Sequence, residues 1–320
     1  MQVKRINREL EDKFIKDIIR LADDNSKTLG FLPKESFYAF SRKKQILVAY
    51  DNETFLGYLL FNVTPTKFKV KIVHLCVHSN YRNQNISEKL VSKLKNIYKE
   101  SSNISGIALS CRRDYNINRV WAKLGFVPID ERRGRGKKET ILTIWWYNFN
   151  NLNLFSNIDH LEERNIVIMD ANIFYHLQNP FPNTDEAREA HILNSDWLYD
   201  SIQLNFTDEI YNEINRKDDK NQREESLSFL KKNFDELTYR KEKGESIFDE
   251  LFKILGVVPK NVSKSYKSDI KQLANAIAGG ADFFTTMDRG VLNKSEVVAG
   301  VFDIQIYRPS ELMLRIEEQQ

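Results

Sequence analysis

The chain has 320 residues, of which 41% are hydrophobic and 29% are charged, and its formal net charge at pH 7 is +3. These values are near the averages of soluble globular proteins, and the length predicts one or two domains. Two cysteines are too few for a disulfide framework or a cysteine zinc site. Its apolar runs are shorter than the ~20 residues of a membrane span, and no secretion signal opens the chain, so we expect a cytoplasmic protein.

The charge is unevenly distributed along the chain. Residues 1–150 contain 28 Lys and Arg against 15 Asp and Glu (+13), which leaves 20 against 30 (−10) for the rest; the two values sum to +3. Such a split predicts two domains with different partners. A basic half suits polyanions, whereas an acidic half either binds metals or docks on the basic half. An asparagine-rich stretch marks the boundary, so we predict domains at 1–148 and 165–320 with 149–164 as a linker.

The first half alternates helical and strand-like patterns. Apolar residues at helical spacing predict a helix over 9–22. Apolar runs at 46–50 and 55–61 are separated by a short polar turn and predict a β-hairpin. A further strand over 70–77 and a helix over 85–100 follow. Shorter strand, helix and strand patterns then complete this half.

This order of elements, with Leu124-Gly125-Phe126 after the last helix, resembles the GNAT family of acetyltransferases over roughly residues 1–147. The resemblance implies an acetyl-CoA site at a helix N-terminus, where backbone N–H groups hold the pyrophosphate. Asn85 and Ser87 stand in place of the motif's two glycines, which weakens the site because a Cβ obstructs close approach. The residues expected to bind acetyl-CoA are Val77, Arg82, Asn83, Asn85, Ile86 and Ser87.

The chemistry implied by this resemblance is incomplete. Trp121 stands where family members often carry a tyrosine general acid, and an indole N–H is not a usable acid at neutral pH. His74 and His78 flank a predicted strand end, and each is either a structural residue or a base. Two alternatives follow for this half: a bifunctional or regulatory N-acetyltransferase that uses acetyl-CoA, and an acetyl-CoA sensor.

Basic residues cluster at the end of a predicted strand and in a later loop. A charge cluster is either a solvated surface or a footprint for a phosphate backbone with aromatic neighbours for stacking. On the second interpretation the first half is a docking platform for RNA. The predicted RNA-binding residues are Arg112, Arg113, Arg132, Arg133, Arg135, Lys137 and, in the second half, Arg289.

The stretch 166–174 opens the second half with four apolar residues followed by Asp170. It predicts a buried strand of a parallel sheet, with the carboxylate at the strand's C-terminal end. Taken alone, Asp170 is equally well explained as the N-cap of the next helix. Further acids, Glu213, Asp269 and Asp288, lie near helix starts or at a strand end. Carboxylates that converge there need a counter-cation, and hard oxygen ligands suit Mg²⁺ or Mn²⁺.

This acidic set resembles that of the PIN-domain nucleases over roughly residues 165–312. The resemblance implies a catalytic and metal-binding set of Asp170, Glu213, Asp269 and Asp288, supported by Asn172 and Thr286. We therefore expect an α/β protein with a GNAT-like mixed sheet followed by a PIN-like parallel sheet flanked by helices. The expected function is a metal-dependent endoribonuclease of the toxin, defence or stress type.

The N-acetyltransferase is the alternative to this nuclease, and a non-enzymatic scaffold held together by opposite charges is a third. RNA, an antitoxin or inhibitor protein and a second copy of the chain are the partners that these hypotheses name.

Overall fold

The computed structural model of this protein describes residues 1–64, 68–115, 117–134, 140–149, 164–195, 198, 201–256 and 262–319. Helices and two β-sheets make up these ranges, which confirms the predicted α/β class. Within them, no helix combines the length and apolar character needed to cross a membrane. Arg135, Lys137 and nearly all of the predicted linker lie outside the described residues.

The first half contributes one mixed sheet. Its elements are β1 (Gln2–Arg5), α1 (Arg8–Asp24), α2 (Ser26–Leu29), α3 (Lys34–Arg42), β2 (Ile46–Asp51), β3 (Thr54–Thr64), β4 (Lys69–Val77), α4 (Ile86–Tyr98), β5 (Gly106–Arg112), α5 (Asn118–Lys123), β6 (Val127–Arg133) and β7 (Ile141–Asn148). The strands lie in the order β1-β2-β3-β4-β5-β7-β6. β4 and β5 run parallel, and all other neighbours are antiparallel.

The apolar runs of this half are continuous because both faces of the sheet are covered. In β2, Ile46 and Val48 pack in the core that contains residues of α1 and α3, whereas Leu47 and Ala49 pack in the core that contains residues of α4. The predicted hairpin of β2 and β3 is confirmed. Asn52 occupies its turn with a left-handed φ of 51°, a conformation that asparagine tolerates better than most residues.

The second half contributes a parallel sheet. Its elements are β8 (Asn165–Met169), α6 (Ala171–Gln178), α7 (Asp185–His191), β9 (Ile202–Phe206), α8 (Glu209–Asn215), α9 (Lys220–Asn233), β10 (Asp235–Glu236), α10 (Lys241–Ile254), α11 (Lys264–Ala278), β11 (Phe283–Thr285), α12 (Arg289–Leu292), α13 (Ser295–Ala299), β12 (Gln305–Tyr307) and α14 (Pro309–Gln319). The strand order is β10-β9-β8-β11-β12, and every pairing is parallel.

β8 is the central strand of this second sheet. Val167 and Met169 pack in one apolar core, and Ile168 packs in another with residues of α10 and α11. A strand covered on both faces explains the uninterrupted apolar run that precedes Asp170. The predicted parallel sheet is therefore confirmed, whereas the finer expectation of a PIN-like fold is not.

The two halves share one apolar core. Leu312, Met313 and Ile316 of α14 belong to the same cluster of buried residues as Phe14 of α1 and Phe37 of α3. Polar contacts border this cluster: the Ser36 hydroxyl lies 3.8 Å from the Met313 sulfur, and the Lys43 ammonium donates to the Glu317 carbonyl at 2.5 Å. Apolar packing, more than the attraction of opposite charges, therefore joins the described parts of the two halves.

Candidate functional site

The turn between β4 and α4 contains the residues predicted to bind acetyl-CoA. Val77 ends β4 opposite Gly57, and the exposed Arg82 precedes Asn83 and Asn85, whose φ angles are 62° and 58°. These are left-handed conformations, for which glycine is the usual residue and asparagine the best-tolerated substitute. Asn85 therefore keeps the left-handed backbone conformation that a glycine would adopt at this motif position, although it adds a Cβ.

The N-terminus of α4 has no side-chain cap. Asn85 precedes this 13-residue helix and accepts no backbone N–H through its side chain. The first N–H groups of a helix have no partner within the helix and carry the positive end of its dipole, which suits an anion. Ile86 is buried in the core beneath, and Ser87 is half-buried. The arrangement gives a phosphate access to backbone donors beside Arg82.

β4 and β5 separate along their length. Lys69, Val70 and Lys71 pair with Gly106, Ile107 and Ala108; beyond this point the two strands, which the structure describes in full, no longer pair. A register shift in the pairing of β3 with β4 leaves Val73 as an extra residue between Ile72 and His74. A β-bulge of this kind bends the strand and re-aims its side chains. The separation opens a cleft in the middle of the sheet.

The cleft combines backbone and side chains from both halves of the chain. The cleft is lined by residues 71–74 of β4, Leu29 of α2, Ser110 of β5 and, from the second half, Ser195. The cavity between them has a volume of about 20 Å³. This is room for about one water molecule, so the cleft is narrow at this point. Sequence reasoning missed Ser110 and Ser195 because no local pattern distinguishes either serine.

The two histidines proposed as bases both have structural partners. His74 is buried; its Nδ1 lies 3.0 Å from the Tyr58 hydroxyl, and its ring also bonds to the Leu29 backbone carbonyl. Burial lowers the pKa of His74 to about 3, so the imidazole is neutral. His78 accepts from the backbone N–H of Asn80 at 3.3 Å and caps a short turn. The geometry favours the structural alternative for both residues.

Other candidate groups of the first half are part of its core. Trp121 is buried and packs against Phe126 with ring centroids 5.6 Å apart. Cys76 and Cys111 are buried and form no disulfide, and burial raises the pKa of the Cys76 thiol to about 11. Neither a thiolate nucleophile nor an acid at position 121 is therefore available.

The basic residues predicted to bind RNA mostly have partners of their own. Arg112 pairs with Asp114 at 2.6 Å, Arg113 pairs with Glu131 at 3.3 Å, and Arg132 donates to the Ser110 hydroxyl at 3.1 Å. Arg133 is exposed in the edge strand β6, and Arg289 is the exposed first residue of α12. RNA binding by these residues stays a prediction.

The acidic residues of the second half lie close enough to interact. Burial, followed by the charges of Asp170, Asp288 and Glu213, raises the pKa of Asp269 to about 7. Burial also raises the pKa of Asp170 to about 6, with a contribution from Asp288. The structure thus brings together the four carboxylates singled out in the sequence.

Three of these carboxylates nevertheless have local structural roles. Asp170 caps α6 by accepting from the Ile173 N–H at 2.8 Å, and its second oxygen accepts from the Thr286 hydroxyl. Asp288 caps α12 through Val291 at 2.9 Å. Glu213 pairs with Arg216 at 2.6 Å, and the exposed Asn172 bonds to Asp170 through its backbone. The capping alternative therefore holds for Asp170.

Several solved structures are similar to the first half. Ard1 from Thermoplasma volcanium has 14% identity and a TM-score of 0.40, and the alignment covers 46% of this chain and 96% of that chain. NAA60 from Arabidopsis thaliana, in complex with a bisubstrate analogue, has 14% identity and a TM-score of 0.40, with 47% and 99% covered. The ribosomal-protein-S18-alanine N-acetyltransferase from Escherichia coli has 12% identity and a TM-score of 0.39, with 48% and 98% covered. No curated protein matches the chain.

The family comparison corrects the predicted function. Residues 13–126 match the model of the acetyltransferase (GNAT) family. In the part of the chain that the structure describes, no group of three or more His, Cys, Asp or Glu side chains is arranged to hold a metal ion. The prediction of a Mg²⁺- or Mn²⁺-dependent endoribonuclease is wrong, because the family match points to an acetyltransferase. Of the acids assigned to metal binding, Asp170 and Asp288 cap helices and Glu213 forms an ion pair. The family model supports a GNAT acetyltransferase domain in the first half of the chain.

Proposed function

We propose that the first half of the chain, residues 1–148, binds acetyl-CoA and transfers its acetyl group to an amine. The match of residues 13–126 to the acetyltransferase family carries this proposal. Two features of the geometry support it: an uncapped helix N-terminus preceded by the left-handed Asn85, and a cleft where β4 and β5 separate. The first suits a pyrophosphate, and the second leaves strand backbone groups free to bond an extended ligand.

The residues at the turn fit the phosphate part of acetyl-CoA with one departure. Backbone N–H groups of Ile86 and Ser87 and the guanidinium of Arg82 are the donors that would hold it. The side chains of Asn85 and Ser87 narrow the approach that glycines leave open. We therefore expect binding that is weaker than a glycine-containing turn would give.

Acetyl-CoA supplies an activated acetyl thioester. In the transfer, the nitrogen of a neutral amine attacks the thioester carbonyl, a C–N bond forms and the C–S bond breaks. The proton lost by nitrogen ends on the departing thiolate, which leaves as the free thiol of CoA. Trp121 is buried and cannot protonate that thiolate, so the proton reaches it through solvent or the acceptor itself.

Calorimetry with acetyl-CoA tests the binding step. We expect saturable binding to the native chain and a loss of about tenfold or more for Arg82→Ala, since a charge-assisted hydrogen bond contributes ~1.5–3 kcal/mol. Lys89→Ala, an exposed change three residues into α4, is the matched control and should bind as the native chain does. Absence of binding at millimolar acetyl-CoA would refute the proposal.

Release of free CoA thiol in the presence of amines tests the transfer step. Binding without any thiol release would limit the first half to sensing acetyl-CoA. The buried Trp121 is the observation that favours this second alternative.

A further inference from the structure

Strand β6 is a free edge of the first sheet. It pairs with β7 on one side, and no described residue pairs with it on the other. All of its side chains except that of Arg132 are exposed. The exposed large apolar side chains of the described residues also concentrate near it, and those at least 37% exposed include Ile117, Val120, Val127, Ile129 and Ile141. Exposed apolar side chains beside an unpaired strand edge are typical of an interaction surface.

The hydrogen bonds between β6 and β7 show which backbone groups are available at this edge. The Gly134 N–H donates to the Thr140 carbonyl at 2.8 Å, so these two residues form a hydrogen-bonded pair. In an antiparallel ladder such pairs alternate with pairs that are not hydrogen-bonded. Arg133 and Glu131 therefore direct their N–H and C=O groups away from β7. In agreement, the Glu131 N–H donates to the side chain of its neighbour Asp130 at 2.7 Å.

The charges of this strand complement those of a second, antiparallel copy. Two copies can pair so that Glu131 of each copy lies opposite Arg133 of the other. Both residues direct their backbone groups outward, so each of these two pairs forms two backbone hydrogen bonds in addition to an ion pair. The neighbouring registers that use the same backbone groups place Glu131 opposite Glu131 or Arg133 opposite Arg133, where like charges repel.

Other residues of β6 confine the pairing to this short stretch. Pro128 has no N–H, and Ile129 is an extra residue in the ladder with β7, so the strand bends before Asp130. The two copies of Arg132 face each other across the symmetry axis, which opposes pairing. Each Arg132 nevertheless donates to Ser110 of its own chain at 3.1 Å, and Asp130 of the other copy lies diagonally opposite. The association is therefore weak and reversible.

Part of the apolar surface lies on the face where the ion pairs form. Opposite residues of a ladder share a face, so Glu131 points to the same side as Thr143 and Cys111. Ile141, two residues before Thr143, shares this face. Cys111 belongs to the core that contains Trp121, so α5 lies on this side of the sheet as well. Burial of these apolar side chains adds to the backbone and charge contacts.

We propose that β6 is a homodimer interface, in which two copies of the chain pair their β6 strands antiparallel with Glu131 opposite Arg133. Each copy supplies the same patch, as an interface with two-fold symmetry requires. β4, which leads to the turn proposed to bind acetyl-CoA, lies three strands away from β6. The dimer therefore forms whether or not acetyl-CoA is bound.

Sedimentation velocity of the full chain measures this association. Over a range of about 1–200 μM we expect a reversible dimer with a Kd of roughly 10–100 μM, as suits a small interface. Arg133→Glu and Glu131→Arg each place like charges opposite each other twice, and each should raise the Kd at least about tenfold. Arg20→Glu, an exposed change in α1, is the matched control and should leave the Kd unchanged. A native chain that stays monomeric over the whole range, or a dimer that survives both reversals, would overturn the proposal.

Mixing the two variants shows whether the charges meet in the proposed register. Glu131→Arg carries positive side chains at both positions, and Arg133→Glu carries negative ones at both. An equimolar mixture should therefore form a heterodimer although neither variant pairs with itself. The double variant, which exchanges the two charges, should recover the native Kd within about threefold. If neither the mixture nor the double variant associates, the pairing is wrong.

Amide hydrogen exchange, followed by NMR at low and high protein concentration, locates the contact. The N–H groups of Glu131 and Arg133 should exchange more slowly at high concentration, whereas that of Arg132, which points to β7, should not change. Protection that appears on another surface while these two amides stay unchanged would place the interface elsewhere and refute the assignment to β6.

Discussion

Replacing Glu317 by glutamine is expected to stabilise the protein above neutral pH. Glu317 lies in α14, where the two halves meet, and is 1% exposed. Neither oxygen of its carboxyl group has a hydrogen-bond partner among the described residues. Lys43 and Arg42 of the first half are the cations that act on it, and the neighbouring Glu318 opposes them. Burial without a partner disfavours the charged form.

The size of the effect follows from the pKa. Burial, only partly offset by Lys43 and Arg42, raises the pKa of Glu317 from 4.5 to about 7. Between these values the folded protein keeps a proton that the unfolded chain has lost. Stability therefore falls as the pH rises from about 4.5 through 7. Above that range the cost is at most ~4 kcal/mol, because each pKa unit corresponds to ~1.4 kcal/mol.

Urea unfolding at pH 5 and pH 8 tests this reasoning. Glu317→Gln, which keeps the side-chain shape without the charge, should raise the free energy of unfolding at pH 8 and change it little at pH 5. Glu296→Gln is the matched control, because Glu296 is exposed in α13 and is not one of the charges that act on Glu317. If Glu317→Gln is less stable than the native chain at pH 8, the carboxylate is held by a stabilising ion pair and the argument fails.

Three further predictions concern single sites. Asn85→Gly should lower the Kd for acetyl-CoA by about fivefold in calorimetry, because it removes the Cβ that obstructs the approach of the phosphate to the backbone while the left-handed turn is kept; an unchanged or higher Kd would contradict this. His74→Phe should lower the free energy of unfolding in urea by about 1–3 kcal/mol, because it leaves the buried Tyr58 hydroxyl without a partner. Adding Tyr58→Phe should recover part of this stability, and no recovery would argue against the hydrogen bond between Tyr58 and His74. Asp170→Ala should lower the free energy of unfolding in urea by about 1–2 kcal/mol, because the N-cap of α6 is lost, whereas Asp170→Asn keeps an acceptor and should lower it less. Equal decreases for the two variants would exclude the capping role.

Local patterns in the sequence predicted local structure well. The strands β2 and β8 are covered on both faces, which explains their continuous apolar runs. The helix α4 is covered on one face, which explains its apolar residues at helical spacing. At Asn85 the same reasoning was incomplete, because it predicted a site weakened by a Cβ but could not show that the residue keeps a left-handed backbone. What the pattern could not show is which of two physical roles a residue takes.

The acidic set illustrates this limit. A strand that ends in aspartate before a helix is the pattern of an N-cap and equally that of a metal ligand. Only the positions of the Ile173 N–H and the Thr286 hydroxyl show how the oxygens of Asp170 are used. The cleft was unpredictable for another reason: Leu29, His74, Ser110 and Ser195 are distant in sequence and meet only in the folded chain.

The core shared through α14 also governs how the chain folds during its synthesis. Ser36 meets Met313 across a sequence separation of 277 residues. At a ribosomal rate of ~5–20 residues per second, the partner of Ser36 emerges roughly 14–55 s after it. During that interval the apolar side chains of α1 and α3 that α14 later covers have no native partner there. We therefore expect these apolar side chains to stay exposed on the nascent chain until α14 is synthesised.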